Sequence, residues 1–419
     1  MSDDEKVVFD VGLVGPRGVG KTSLISSVFL AGQDVLAGSG VTVVADDDPT
    51  ARRMANHADA LAGVIQRTQF VGESLRANDS VVDFHLRLDP GVPDTGIALH
   101  IKDYPGGWLD PGRRISEQAR EGWAAVHDFM LRSSVLLVPV DAPTVVEAVT
   151  PRQLRAVPLL LRLHDTMQVL RLWARGRALA PESPALVIFV PVKCETYLRD
   201  ADDFGGARGA DRSAELYEQF RVAYADCIRA VRDEAPHAQL LYLPVDTLGC
   251  VDRVYVTWPP DEDTGVRCEP HFRVVNDGKR HIRGVDDLLT ALCRTLVEAR
   301  RKAEQEHERG LAERHHAAQS YAQRDRGLVG SFFRTADKLI GDRIGRDELI
   351  RLTDPGSAFP RLGWLRIAGQ LGLGRSAREQ QTADRLGEER LRSLGALDNL
   401  QAVVEGLAKR DYSERVRRL

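Results

Sequence analysis

Apolar residues recur along this chain in two rhythms. One is the short, nearly continuous run: Val7-Val8-Phe9-Asp10-Val11-Gly12-Leu13-Val14, then residues 135–140, 185–192 and 240–245. Runs of this length and β-branched content predict strands, the later ones buried on both faces. Between them lie segments with helical spacing, at 23–30, 115–132, about 152–179 with Pro158 in its first turns, and about 214–232. Strands alternating with helices predict an α/β fold, an open, mostly parallel sheet covered on both sides. Residues 81–88 alternate apolar and polar, the pattern of a half-buried strand, and residues 97–103 read as its partner across the turn Gly91-Val92-Pro93-Asp94. That connection is too short for a crossover, so the pair is expected to be one antiparallel edge of the sheet.

Residues 41–80 form a polar, partly helical insert around Ala45-Asp46-Asp47-Asp48-Pro49. Val254-Tyr255-Val256-Thr257-Trp258, with a hairpin signal at Asn276-Asp277-Gly278, suggests a small β-insertion. A last helix begins near Val285, with Leu288, Leu289, Leu292 and Leu296 on one face, and turns polar beyond Arg300. The boundary is therefore expected there: residues 1–300 as one domain, residues 301–419 as an α-helical C-terminal domain. Its apolar positions Leu339, Ile340, Ile344, Leu349 and Ile350 are interleaved with Arg334, Lys338, Arg343 and Arg346. A small helical bundle accounts for them, and so does a surface for a protein effector or for peripheral contact with an anionic membrane.

Composition narrows this picture. The 419 residues are 43% apolar and 28% charged, with net charge −4, which argues against a dedicated nucleic-acid binder. The charge is uneven: residues 301–419 hold 23 Lys+Arg against 18 Asp+Glu, so the first 300 are acidic. Cys194, Cys227, Cys250, Cys268 and Cys293 are scattered without a CxxC, so neither a zinc site nor a disulfide framework is expected. No apolar run approaches membrane-spanning length. The acidic start Met1-Ser2-Asp3-Asp4-Glu5 leads straight into the first strand, and a cytoplasmic protein is expected.

The chemistry is concentrated at Gly15-Pro16-Arg17-Gly18-Val19-Gly20-Lys21-Thr22, a complete GxxxxGK[ST] loop between a strand and a helix. Such a loop aims backbone N–H groups and the positive end of a helix dipole at one point. Gly15, Arg17, Gly18, Val19, Gly20, Lys21, Thr22 and Ser23 are the expected phosphate cradle. In it, Lys21 reaches the β- and γ-phosphates and the Thr22 hydroxyl is offered to Mg²⁺. Asp103-Tyr104-Pro105-Gly106 ends the strand at 97–103 and matches DxxG. Asp103 there can hold a Mg²⁺-bound water, and the Gly106 N–H can touch a γ-phosphate.

Loop and DxxG together resemble the P-loop GTPases of the translation-factor and regulatory class. The heptapeptide Asp103-Tyr104-Pro105-Gly106-Gly107-Trp108-Leu109 is similar to the signature of the bacterial YcjX-like GTPases and of related GTPases linked to bacterial stress or conflict systems. The likeness covers about residues 7–300. It implies a P-loop fold, GTP and GDP as ligands, Mg²⁺ as cofactor, and slow GTP hydrolysis serving a nucleotide-dependent switch. It also places the guanine-reading motif at Val192-Lys193-Cys194-Glu195, where Lys193 packs over the base and Glu195 accepts from its N1–H and amino group. The family's Asn or Thr is missing there, and Glu replaces Asp. Pro244-Val245-Asp246-Thr247-Leu248-Gly249 falls where a backbone touches guanine O6. Thr68, Ser74 and Ser80 are the candidates for the switch hydroxyl. Gly107 stands where many relatives carry a water-orienting Gln, which implies slow turnover; Arg17 is either a substitute in cis or a solvent-facing residue. Trp108 is expected to pack against the second switch, and His307, His315 and His316 to be solvated. An ATPase with the same phosphate site and a non-hydrolysing nucleotide-binding scaffold are the competing readings.

Overall fold

The computed structural model of the chain describes residues 8–35, 42–66, 69–71, 80–89, 97–181, 184–198, 211–275, 282–295 and 411–419, with isolated positions at 297, 298, 406 and 409. Contacts divide the chain into a unit of residues 1–300 with 396–419 and a unit of residues 301–395; all described residues belong to the first.

The chain enters through β1 (Val8–Leu13) and, after the glycine loop, α1 (Lys21–Val35). The polar insert folds as β2 (Thr42–Ala45), α2 (Asp48–Ile65) and β3 (Gln69–Val71). Asp47 caps α2 by accepting from the Thr50 N–H, and Pro49 fits its first turn. Then come β4 (Val82–Asp89), β5 (Ile97–Asp103) and α3 (Glu117–Arg132), which starts at an accepting Ser116 side chain. β6 (Val135–Asp141) runs directly into α4 (Ala142–Val146), whose cap is Asp141. α5 (Pro151–Leu160), started by a Thr150–Gln153 capping box, and α6 (Leu163–Ala178) precede β7 (Leu186–Val192). α7 (Ser213–Ala223), α8 (Ala225–Glu234) and β8 (Gln239–Tyr242) follow. The small strands β9 (Val251–Thr257), β10 (Pro260–Asp261), β11 (Gly265–Val266) and β12 (Glu269–Val274) precede a helix at 285–295. β13 (Arg417–Arg418) closes the chain.

Eight strands form one sheet in the order β13-β8-β7-β6-β1-β5-β4-β2. β8, β7, β6, β1 and β5 are parallel to their neighbours in that series. β4 runs antiparallel to β5 in the register Val82↔Asp103. The fold is thus α/β with a mostly parallel sheet and an antiparallel edge region, although β2 rather than β4 is the outermost strand on that side. The pleat sends alternate residues of the inner strands to opposite faces. Val11, Leu137, Ile188 and Val190 pack with Leu24 and Val28 of α1 and Leu288 of the helix at 285–295. Leu136, Val138, Val187 and Phe189 pack with Trp123, Trp173 and Phe220 on the other side. On β4 and β5 that second face is polar: His100 is hydrogen-bonded to Asp10 and Asp83, Lys102 pairs with Asp83, and His85 with Asp47.

Several expectations are corrected. The helix expected over 152–179 is broken, because Arg162 adopts a left-handed conformation (φ 48°) between α5 and α6. The segment at 214–232 likewise divides at Tyr224. Residues 301–419 are not helical throughout: β13 pairs antiparallel with β8, and the Leu419 N–H donates to the Leu240 carbonyl. The β-insertion is a three-stranded sheet in the order β3-β12-β9 rather than a local hairpin, and Asn276-Asp277-Gly278 lies outside the described residues. So do Thr68, Ser74, His307, His315, His316 and the basic amphipathic segments beyond residue 328. No described helix is long and apolar enough to cross a membrane.

Candidate functional site

β1 lies between β5 and β6, so the loop leaving its carboxyl end emerges beside the ends of both neighbours, Asp103 and Asp141. Ligands of open α/β sheets sit at such carboxyl ends. A cleft of about 790 Å³ opens there, within the usual range for small-molecule sites. Among its walls are Pro16, Arg17, Gly18, Gly20, Lys21, Thr22 and Ser23 from the loop and α1, together with Asp103, Gly106, Gly107, Lys193 and Glu195. Gly15 and Val19 belong to the same turn but stand behind it, Val19 buried in the core.

The loop closes on itself. Lys21, 6% exposed, donates from Nζ to the carbonyls of Gly15 (3.0 Å) and Pro16 (3.1 Å), and its ammonium lies 4.7 Å from the Tyr104 ring centroid. Burial lowers its pKa from the ordinary lysine value, while the Asp103 charge raises it. Gly18 and Gly20 take positive φ (76° and 103°), a conformation that side chains resist, so the glycines permit the tight turn around the ammonium.

The DxxG segment is locked onto this loop. The Thr22 hydroxyl donates to Asp103 Oδ2 at 2.6 Å, bringing together two oxygens 81 positions apart in sequence. The Tyr104 hydroxyl accepts from the Gly15 N–H (3.1 Å) and donates to the Gly15 carbonyl (3.2 Å). A Cβ on Gly106 would lie 2.4 Å from Arg17 N and 2.6 Å from Pro16 C, so only glycine lets the two backbones meet. Trp108 packs against α3 at Gly122, where an added Cβ would stand 2.6 Å from its ring. Arg17 is exposed.

The end of β7 forms the far side. Val192 faces Gly20. Lys193 adopts φ 56° and donates to Asp141 Oδ2 at 2.5 Å. Asp141 also accepts from the N–H and hydroxyl of Thr144, so one carboxylate caps α4 and orients Lys193. Glu195 Oε1 accepts from the Leu248 N–H at 3.3 Å. The loop after β8 is held in place by Ser27, whose hydroxyl donates to the Thr247 carbonyl, and by Asp246, whose N–H donates to the Arg283 carbonyl. Burial, then the neighbouring Asp246 charge, raises the pKa of Glu195 well above the ordinary carboxylate range.

Of the residues expected from the sequence, Arg17, Gly18, Gly20, Lys21, Thr22, Ser23, Asp103, Gly106, Lys193 and Glu195 line one cleft, whereas Gly15 and Val19 stand behind it. Three that the sequence did not single out are Tyr104 as a strut, Asp141 as the partner of Lys193, and Asp246 beside Glu195. Asp141 had a signal, as an acid closing an apolar strand beside the strand that leads into the glycine loop; Asp246 had none in its generic loop.

Thr22 and Asp103 offer adjacent hard oxygen donors, a set suited to Mg²⁺. A second cluster, Asp83, His85 and His100, brings three potential ligand atoms within 4.8 Å of one another. Its charges are already compensated, Asp83 by Lys102 and the adjacent Asp10 by Arg132. No family model matches the chain, and no curated protein matches it.

Proposed function

We propose that this protein is a P-loop GTPase: it binds GTP and GDP in the cleft at the end of β1, and it hydrolyses GTP slowly with Mg²⁺ as a nucleotide-dependent switch. The observation that carries this reading is the Thr22–Asp103 contact. It joins the glycine loop to the DxxG segment through the two side chains that the metal requires. The strand order, with the loop strand directly beside the DxxG strand, supports the same assignment. Mg²⁺ bound there would neutralise charge on the phosphate oxygens. Lys21 and the backbone N–H groups of residues 17–23 would hold the phosphates, and Asp103 and Thr22 would hold the ion. The Gly106 N–H, pressed against the loop, reports whether a third phosphate is present. Gly107 has no side chain to orient water, which fits a slow reaction.

An ATPase using the same phosphate site is the second reading, favoured by Val192 and Glu195 standing where a guanine-specific protein has Asn or Thr and Asp. Competition of unlabelled GTP and ATP against a fluorescent nucleotide separates the two. Single-turnover hydrolysis with and without Mg²⁺ separates both from a non-hydrolysing scaffold. The absence of binding by either nucleotide would remove the reading altogether. A cytoplasmic location, and a protein effector engaged through residues 301–419, belong to the same proposal.

A further inference from the structure

The base end of the cleft holds two carboxyl groups where one is needed. Glu195 is 5% exposed and Asp246 1% exposed, and their side chains face each other. Asp246 is well supplied with donors: the Gly249 N–H at 2.6 Å and the Arg283 guanidinium at 3.4 Å. Glu195 has backbone N–H groups alone, those of Leu248 and of its own residue, and its buried Oε2 meets no donor. Other groups nearby leave this imbalance in place. The Cys194 thiol donates to the Pro191 and Val245 carbonyls and stays neutral, because burial raises its pKa further. Lys193 is committed to Asp141. His57 of α2 lines the same cleft.

Two buried carboxyls served by one guanidinium do not both ionise readily. The charge settles on Asp246, which has the donors, and the proton on Glu195. Burial raises the pKa of both groups, and at Asp246 the Arg283 charge works against it. A protonated carboxyl presents one O–H donor and one acceptor, whereas a carboxylate presents acceptors alone. Guanine offers N1–H and the amino group side by side, two donors that need the carboxylate. Adenine offers N1 as acceptor and an amino donor, which match the acid form.

We propose that Glu195 and Asp246 share a proton that sets base choice, so that a guanine nucleotide binds with expulsion of that proton to solvent and an adenine nucleotide binds with its retention. This deepens the nucleotide-binding proposal and rests on it. Guanine affinity then rises about tenfold per pH unit while the pair holds its proton and levels off once the pair has lost it. Adenine affinity is flat over the first range and falls over the second.

The test is calorimetric titration of the full chain with GDP and with ADP at neutral pH, each in two buffers of different ionisation enthalpy. The diphosphate chain is common to both ligands, so its own proton exchange cancels in the difference. GDP is expected to release about one proton more than ADP. Asp246→Asn removes the facing charge, so the excess release should vanish and GDP should bind more tightly. Glu195→Gln, whose amide offers both a donor and an acceptor at every pH, should lose the pH dependence and shift preference towards ADP. Equal proton counts with both nucleotides bound would overturn the inference while leaving the nucleotide proposal intact. Failure of both nucleotides to bind would overturn both.

Discussion

Tyr104→Phe isolates the strut between the glycine loop and the DxxG segment. The substitution keeps the ring, 1% exposed and beneath the Lys21 ammonium, and removes only the hydroxyl that both accepts from and donates to Gly15. The two lost bonds are unequal. The Gly15 carbonyl still accepts from Lys21 at 3.0 Å, but the Gly15 N–H loses the partner seen in the structure. One orphaned buried donor costs about 1–3 kcal/mol. At roughly 2–4 °C per kcal/mol for a domain of a few hundred residues, the melting temperature should fall by about 2–12 °C. Burial raises the phenol pKa above its usual range, so the hydroxyl is neutral at any working pH and the loss should be equal at pH 6 and pH 8. Differential scanning calorimetry of the two proteins without nucleotide measures it. A variant melting at the unmodified temperature would mean that water replaces the hydroxyl and that Tyr104 does not hold the loop.

Gly106→Ala must push the DxxG backbone off Arg17 and Pro16, an overpacking cost of about 1–3 kcal/mol; a fluorescent-nucleotide titration should show weakened binding, and wild-type affinity would refute the close approach. Lys21→Ala removes a charge-assisted contact of about 1.5–3 kcal/mol, so nucleotide affinity should drop about 10- to 150-fold; unchanged affinity in a folded variant would sink the phosphate site. Burial by itself would lower the pKa of His100, but its bonds to Asp10 and Asp83 win and raise it. Its ion pairs therefore stabilise the fold fully below the ordinary histidine pKa and are lost as pH rises through the raised value. Urea midpoints should show that alkaline loss in the parent and not in His100→Gln, and identical pH profiles would refute it.

The local order was legible in the chain because it depends on neighbours in sequence. The strand–loop–helix around Gly15–Thr22 and the alternation at 81–88 each follow from periodicity and from the turn chemistry of glycine. The same local logic failed where distant contacts decide. The helical spacing at 152–179 is continuous, yet Arg162, paired with the distant Asp110, turns left-handed and leads into a second helix. Arg417–Arg418 carries no apolar signal and becomes a strand because β8 presents an edge to pair with.

For the site, the sequence by itself determined that a GxxxxGK[ST] glycine loop and a DxxG acid exist and that Val192-Lys193-Cys194-Glu195 departs from the pattern of the GTPases it resembles. Only the tertiary structure decided that Thr22 meets Asp103, that Tyr104 clamps Gly15, and that Asp246 faces Glu195. A loop motif is written in consecutive residues because backbone N–H groups must converge within one turn. The protonation of a carboxyl is set by burial and by charges within a few ångströms, and those arrive from residues about 50 to 90 positions away in the chain.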